Sequence, residues 1–389
     1  MLYSAQKMLV FEPNKPYIRL MERYNWQRKD WPNFTFSLEA SEDALYVFAE
    51  KAGHISGIWK AIPENMQMEA VVDLMLAEAM KTSEIEGEYL SRKDVLSSIK
   101  ANLGLTNPKT KAKDRKASGI ADLMTDVRNS VMEILTKGKL FDWHRMIFGN
   151  QEDMDIGKWR SHKEPMQIVS GAVGKQKVHY EAPSSNRVAK EMDRFITWFN
   201  ETAPGGKKEI RKGPVRAAIA HLYFETIHPF EDGNGRIGRA LAEKALSQGI
   251  GRPVLLSLSR AIEAEKKDYY GALEKAQKSL DISGWINYFV NTLLNAQTQA
   301  EEQIEFTLRK VKFFDRLTSQ LNKRQLTVIQ RMFDEGIKGF EGGMNANKYI
   351  GLTKISKATA TRDLQELVEK GIFKIVGGGR SSRYDLIIL

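Results

Sequence analysis

Apolar residues recur at helical spacing over most of this chain. From Leu38 onward, Leu45, Phe48, Ala49 and Ala52 share one face before Gly53. A second helix is predicted from Pro63 through Met68, Val71, Val72, Met75 and Ala79, running out at Gly87. Proline at the start and glycine past the end is the asymmetry helices prefer. Residues 103–116 break the pattern with Gly104, Asn107-Pro108 and the run Lys109, Lys111, Lys113, Arg115 and Lys116, which reads as a solvated loop or helix start. Helical spacing returns at 118–136 and 141–149. Between Gly157 and Pro183 the period changes: Met166, Ile168, Gly171, Gly174, Val178 and Tyr180 read as two short strands around a glycine-containing turn. Helices are then predicted at 186–202, at 214–227 with Val215, Ile219 and Leu222 as the stripe, at 235–247, at 260–277 and at 284–317.

The two ends differ from this helical middle. The segment up to about Phe36 is aromatic and irregular, with Tyr24, Trp26, Trp31, Phe34 and Phe36 gathered around Pro32, and reads as a cap packed on helices. At the C-terminal end, helices are predicted at Gln325–Met332, around Asn347 and at 357–370, the last with Ala360, Leu364, Leu367 and Val368 on its apolar face. Two short strands, 373–376 and 382–388, flank Gly377, Gly378 and Gly379. Three helices followed by a hairpin predict a winged helix.

Composition narrows the class. With 389 residues, 42% hydrophobic and 28% charged, the chain fits a globular protein of two or three domains and neither a disordered nor a collagen-like one. The absence of cysteine excludes disulfides and cysteine-ligated metals and suits a reducing cytoplasm. Residues 1–17 hold no apolar core of signal length, and no stretch of about 18 apolar residues occurs, so a cytoplasmic protein with no membrane partner is expected. The net charge of +10 is suited to phosphorylated ligands, nucleic acid or simple solvation.

The chemistry concentrates in one loop between two predicted helices: His228-Pro229-Phe230-Glu231-Asp232-Gly233-Asn234-Gly235-Arg236-Ile237-Gly238-Arg239. Gly233, Asn234 and Gly235 at a helix entrance let successive backbone N–H groups converge on an anion, and the helix dipole adds positive potential. Arg236 and Arg239, three residues apart on the first turns, can both fork onto phosphate oxygens. Asp232 is the hard oxygen ligand that Mg²⁺ takes when a nucleotide supplies the others. His228 is the side chain here able to take a proton near neutral pH.

This stretch matches at every fixed position the signature of the Fic family, H-P-F-x-(D/E)-G-N-G-R-x-x-R, and the flanking helices and hairpin resemble that family as well. The resemblance implies a mainly α fold: a Fic-type helical bundle with a small β-hairpin flap, plus a C-terminal winged-helix domain. It divides the chain into an N-terminal cap and helices at 1–100, a catalytic core at 101–312 and the winged helix at 313–389. It implies AMP transfer from ATP to a Ser, Thr or Tyr hydroxyl of this or another protein, with pyrophosphate leaving. His228 would be the base and Asp232 the Mg²⁺ ligand. Gly233, Asn234 and Gly235 would form the anion cradle, with Arg236 and Arg239 on phosphate. Met166, Ile168 and Val169 would belong to the flap that holds the target. Tyr269, Tyr270 and Gln277 fall where the family lines its adenine pocket; adjacent tyrosines cannot both face the core in one direction, which leaves either a ligand role for one or a packing role for both. Thr82-Ser83-Glu84-Ile85-Glu86-Gly87 resembles the family's inhibitory motif, (S/T)-x-x-x-E-(G/N), in which Glu86 would pair with Arg239 and block the γ-phosphate.

From Leu321 to Leu389 twelve Lys and Arg stand against seven Asp and Glu, half of the whole chain's surplus. Thr359, Arg362 and the wing residues Arg380 and Arg383 would touch DNA, whereas Asp363, Glu369 and an Arg362–Glu366 pair would favour a protein-docking role. The alternative to an enzyme is therefore a winged-helix DNA-binding regulator with the Fic site as nucleotide sensor. A homodimer is the expected assembly.

Overall fold

The computed structural model describes residues 23–107, 112–149, 154–170, 177–378 and 382–387. Arg380, Lys109, Lys111 and the hairpin turn with Gly171 and Gly174 lie outside them. Fourteen α-helices and two two-stranded hairpins make up the described residues. No helix among them is long and apolar enough to cross a membrane.

In chain order come α1 (Glu42–Lys60), α2 (Glu64–Ile85), α3 (Arg92–Asn102), α4 (Arg115–Asn129) and α5 (Lys137–Phe148). The strands β1 (Gln167–Ser170) and β2 (Lys177–Glu181) follow, then α6 (Ser185–Glu201), α7 (Gly213–Ile227), α8 (Asn234–Ile250), α9 (Leu258–Ala264), α10 (Lys266–Ala276) and α11 (Ser283–Leu317). The C-terminal part holds α12 (Lys323–Phe333), α13 (Ala346–Thr353), α14 (Lys357–Glu369), β3 (Phe373–Val376) and β4 (Arg383–Leu386).

The helical expectations hold with four differences. Gly53 does not end α1, because Ile55, buried in the next turn, carries the apolar face onward and outweighs the cost of about 1 kcal/mol of a mid-helix glycine. The helix α3 has no counterpart in the periodic pattern. Its short apolar set, Val95 and Ile99, is buried, and Ser91 caps it by accepting from the Asp94 N–H. The helix expected over 118–136 stops at Asn129. The one expected over 260–277 is two helices, broken where Glu265 leaves helical geometry at φ −126°, ψ 40°.

The chain divides into two compact units. Residues up to 50 with 71–297 form one, and residues 51–70 with 298–389 form the other. This grouping differs from a division at 100 and 312: the aromatic N-terminal segment belongs to the same unit as the bundle.

In the larger unit α7 is the central element. Every residue from Gly213 to Ile227 is buried, so it shows no single stripe, unlike the Val215, Ile219 and Leu222 face expected for it. It packs most extensively against α8, which α4 and α5 also contact. The N-terminal aromatics form the expected cap. Trp31 meets Tyr223 edge-on at 5.1 Å and donates its indole N–H to buried Glu191, which Arg187 and Arg194 also bind. Tyr24 meets Tyr180 of β2 edge-on at 5.0 Å, and the Trp26 indole donates to the Glu181 carbonyl.

The smaller unit centres on Val328, Ile329, Tyr349, Leu364, Leu367 and Phe373. Its hairpin pairs Phe373 with Leu386 and Val376 with Arg383, and Met344 adds a bridge to Tyr384. The acidic residues on α14 pair differently from the sequence expectation. Asp363 turns inward to Arg324 and the Tyr349 hydroxyl, while Glu366 binds Lys370 and Gln325 and leaves Arg362 exposed.

Candidate active site

The loop between α7 and α8 owes its shape to a few residues. His228 ends α7 in left-handed geometry, φ 49° and ψ 61°, with its N–H on the Phe224 carbonyl. Non-glycine residues adopt this geometry only when their surroundings impose it. Arg160 imposes much of it: its guanidinium donates to the carbonyls of Ile227, His228 and Pro183 and to the Ser185 hydroxyl, and its N–H donates to the Pro229 carbonyl. Phe230 is fully buried and stacks on His144 at 4.2 Å. The Asn234 side chain closes the loop on itself, accepting from the Phe230 N–H and donating to the Phe230 carbonyl, both at 2.9 Å. Asn234 thus uses its amide inside the loop, and what it can offer an anion is its backbone N–H.

Two glycines make room. Gly233 takes φ 81° at the start of α8, and a Cβ there would meet the Phe148 ring at 2.7 Å. At Gly235 a Cβ would meet the Glu86 carboxylate at 2.1 Å. The mouth of the loop is therefore shaped for an oxygen anion to approach the backbone, and here that anion is Glu86.

Glu86 reaches the loop from the end of α2, where Gly87 turns the chain at φ 81°. Its Oε1 accepts from Arg239 Nη2 at 2.7 Å. Arg239 is almost fully buried and bound twice more to the same turn, donating from Nε to the Thr82 hydroxyl at 2.8 Å and from Nη2 to the Thr82 carbonyl at 3.0 Å. Burial works to raise the Glu86 pKa, but the guanidinia of Arg239 and Arg236, with Lys266, hold it below the usual carboxylate range.

The second arginine is engaged by a residue that no sequence signal marked. Arg236 Nη1 donates to Glu88 Oε2 at 2.6 Å, its guanidinium lies 4.8 Å from the Phe148 ring centre, and Nη2 is 3.6 Å from Asp232 Oδ1. Glu88 in turn binds Lys116 at 2.9 Å. The alternation Glu84, Glu86, Glu88 was the available clue, but a turn after Gly87 had to aim the last of them.

One cavity brings together most of the residues predicted for the site. Glu86, His228, Asp232, Gly235 and Arg239 line it, as do Ile168 and Val169 of β1 and Met166 just before it. Tyr269, Tyr270 and Gln277 line it from α10 and just beyond. Gly87, Gly233, Asn234 and Arg236 stand behind this surface. Of the two tyrosines, Tyr269 is buried with its hydroxyl 2.7 Å from His221 Nε2, and Tyr270 is half-buried. Gln277 donates weakly to the Glu225 carbonyl at 3.3 Å.

The hairpin pairs Ile168 with Tyr180 and Val169 with Val178 across a bulge. Its base is anchored where Tyr180 donates to the Thr226 carbonyl at 2.6 Å. His179 joins it to α10, contacting the Ser170 hydroxyl at 2.6 Å and Glu274 at 3.1 Å.

His228 is buried, and burial first, then Arg160, pushes its pKa down to about 4, against the opposing pull of Glu86 and the Glu225 carbonyl. At neutral pH the imidazole is therefore neutral and able to accept a proton. Burial pushes the Asp232 pKa up, although Arg236 and the Gly233 N–H favour the carboxylate. Asp232 lines the cavity beside Glu86, Glu225 and Glu274, and its carboxylate, with Oδ1 accepting from the Gly233 N–H, fits a cation that takes its other ligands from phosphate and water.

Residues 134–246 match the Fic/DOC family, and residues 24–105 match a domain of unknown function, DUF4172. Residues 134–246 are thus a domain similar to the Fic/DOC family. It is 28% identical over 156 residues to the protein adenylyltransferase Fic of Nematostella vectensis, covering 40% of this chain and 32% of that protein. It is 26% identical over 150 residues to the protein adenylyltransferase fic-1 of Caenorhabditis elegans, covering 38% of this chain and 25% of that one. The matched part thus spans a third or less of these relatives. A solved structure of a Fic family protein from Desulfovibrio desulfuricans G20 has the same fold, with a TM-score of 0.52 at 20% identity over 92% of this chain and 98% of that one.

Proposed function

We propose that this chain is a protein adenylyltransferase held off by its own Glu86, moving AMP from ATP to a Ser, Thr or Tyr hydroxyl of a target protein or of itself. The observation that carries this reading is the Glu86 carboxylate seated on Arg239 at the mouth of the Gly233–Gly235 loop, where a nucleotide phosphate would otherwise sit. Opposite it stands His228, neutral and facing the same cavity.

The target hydroxyl oxygen attacks the α-phosphorus, a new P–O bond forms, and the bond to the β-phosphate oxygen breaks. His228 accepts the hydroxyl proton at Nε2, since Nδ1 faces Glu225, and pyrophosphate carries off the leaving electron pair. The loop N–H groups and the start of α8 hold phosphate oxygens, and Arg239, once released by Glu86, takes the γ-phosphate so that the α-phosphorus faces the attacking oxygen. Asp232 would hold Mg²⁺, which supplies charge neutralisation on the phosphates. The apolar residues Met166, Ile168 and Val169, which line the cavity at β1, would support a target segment laid against the hairpin edge.

Incubating the Glu86→Gly protein with α-labelled ATP tests this reading. Label and a mass increase of one AMP are expected on this chain or on a lysate protein, and their loss is expected in Glu86→Gly/His228→Ala. Equal labelling by both variants removes His228 as the base, and labelling by neither removes the activity.

A further inference from the structure

Glu225 lies on α7 one turn before His228, and its side chain is buried. Its Oε1 has no hydrogen-bond partner among the described residues, and neither has His228 Nδ1, yet Oε2 stands only 3.7 Å from that nitrogen. Two unmet polar groups therefore approach each other in the lining of the cavity. A buried polar atom without a partner costs about 1–3 kcal/mol, so a glutamate here weakens the fold instead of holding it.

The sequence also makes space for it. Gly238 sits mid-helix between the two arginines, where alanine would favour the helix by about 1 kcal/mol. A Cβ at 238 would meet Glu225 Oε1 at 2.4 Å and His221 at 3.2 Å. Glycine at 238 leaves room for the Glu225 carboxyl in this position.

The geometry points to Glu225 as a positioning residue that holds the proton on His228 Nδ1, leaving Nε2 free to take the hydroxyl proton. This deepens the adenylyltransferase reading and rests on it for the kinetic part of its test. The role follows the general logic of a base oriented by a third group: a carboxylate at Nδ1 fixes the tautomer and stabilises the imidazolium that forms. The 3.7 Å gap is within what closes when a substrate orders the site. Burial pushes the Glu225 pKa up to about 8, Glu86 at the end of α2 adds to this, and Arg239 on α8 opposes it. His221 on the same helix, Tyr269 on α10 and Tyr180 on β2 are further groups around it, and Arg160 acts on His228. The carboxylate form is the one that orients His228, so the rate rises with pH through the Glu225 titration.

The test compares Glu86→Gly with Glu86→Gly/Glu225→Gln. The chain has six histidines, so ¹⁵N-histidine spectra resolve His228 by its loss in His228→Ala. With Glu225 ionised, above about pH 8, His228 is expected as the Nδ1–H tautomer, and in Glu225→Gln that preference is lost. Transfer is expected to fall about a hundredfold in kcat with KM for ATP unchanged and the alkaline limb near pH 8 removed, while the melting temperature holds or rises. A His228 tautomer unchanged above pH 8 overturns the assignment whether or not transfer occurs. A melting temperature that drops together with kcat and KM overturns it as well, because that pattern belongs to a structural glutamate. Absence of transfer in Glu86→Gly with the tautomer change intact refutes the reaction and leaves the Glu225–His228 pair standing.

Discussion

Removing the Glu86 carboxylate should convert a blocked phosphate site into an open one, and the structure sets the size of the change. In Glu86→Ala the charged hydrogen bond to Arg239 is lost, and such bonds contribute about 1.5–3 kcal/mol net. That range corresponds to a gain in ATP affinity of about 10- to 150-fold. Arg239 itself should keep its pose, because Thr82 still accepts from Nε and Nη2. The gain should depend weakly on salt, since the pair is largely shielded from water. Its pH dependence follows from the direction of the Glu86 shift. A carboxyl held below its ordinary range contributes its latching energy fully above the ordinary value of about 4.3 and loses it only as pH falls through the lowered one. Between pH 6 and 8 the affinity ratio of variant to parent should therefore stay flat. Isothermal titration with an ATP analogue not cleavable between the α- and β-phosphates, with Mg²⁺, measures both quantities. Affinities equal within twofold, or a ratio that shrinks from pH 8 to pH 6, would refute the reasoning.

Other substitutions probe the supports around this contact. Glu88→Gln should free Arg236 and raise ATP affinity by about fivefold, less than Glu86→Ala because Arg236 keeps Phe148 and Asp232; a double-mutant cycle in the same titration measures whether the two glutamates act together. Arg160→Met should lower unfolding free energy by about 2–5 kcal/mol in urea, because it strands the carbonyls of His228 and Pro183, and should lower kcat by loosening His228. Gly238→Ala should lower stability by about 1–3 kcal/mol by crowding Glu225 and His221, read by thermal unfolding. In the C-terminal unit burial works to raise the Asp363 pKa, but Arg324 and Tyr349 hold it below the usual range. Its stabilisation should be present above the ordinary carboxylate value and disappear as pH falls through the lowered one, and Asp363→Asn should flatten that acid limb in far-UV CD melts.

The motif from His228 to Arg239 was legible because its chemistry is contiguous: a base, a carboxylate, a glycine turn and two arginines within one loop and the helix it opens. Helix and hairpin periods were legible for the same local reason, and Gly87 closes α2 where its residue type predicts. Glu86 could be named from a short pattern, but its partner stands 153 residues away and only the fold brings them to 2.7 Å. Arg160, Glu88 and Glu225 carried no signal, because an arginine or glutamate in a chain this charged is ordinarily solvated. Each became informative through burial and through what it faces. The helix α3 was missed since two buried apolar residues make too weak a period.

By itself, the sequence determined the helical character, the hairpin, the likeness to the Fic family and the contiguous loop motif, all properties of short stretches whose spacing specifies geometry. Only the tertiary structure decided that both motif arginines are already occupied by glutamates, that Asn234 spends its amide inside the loop, and that the buried Glu225 carboxyl lies beside His228. Those facts depend on desolvation and on contacts between distant segments, and the free energy of a charge is set by what surrounds it and not by its place in the chain.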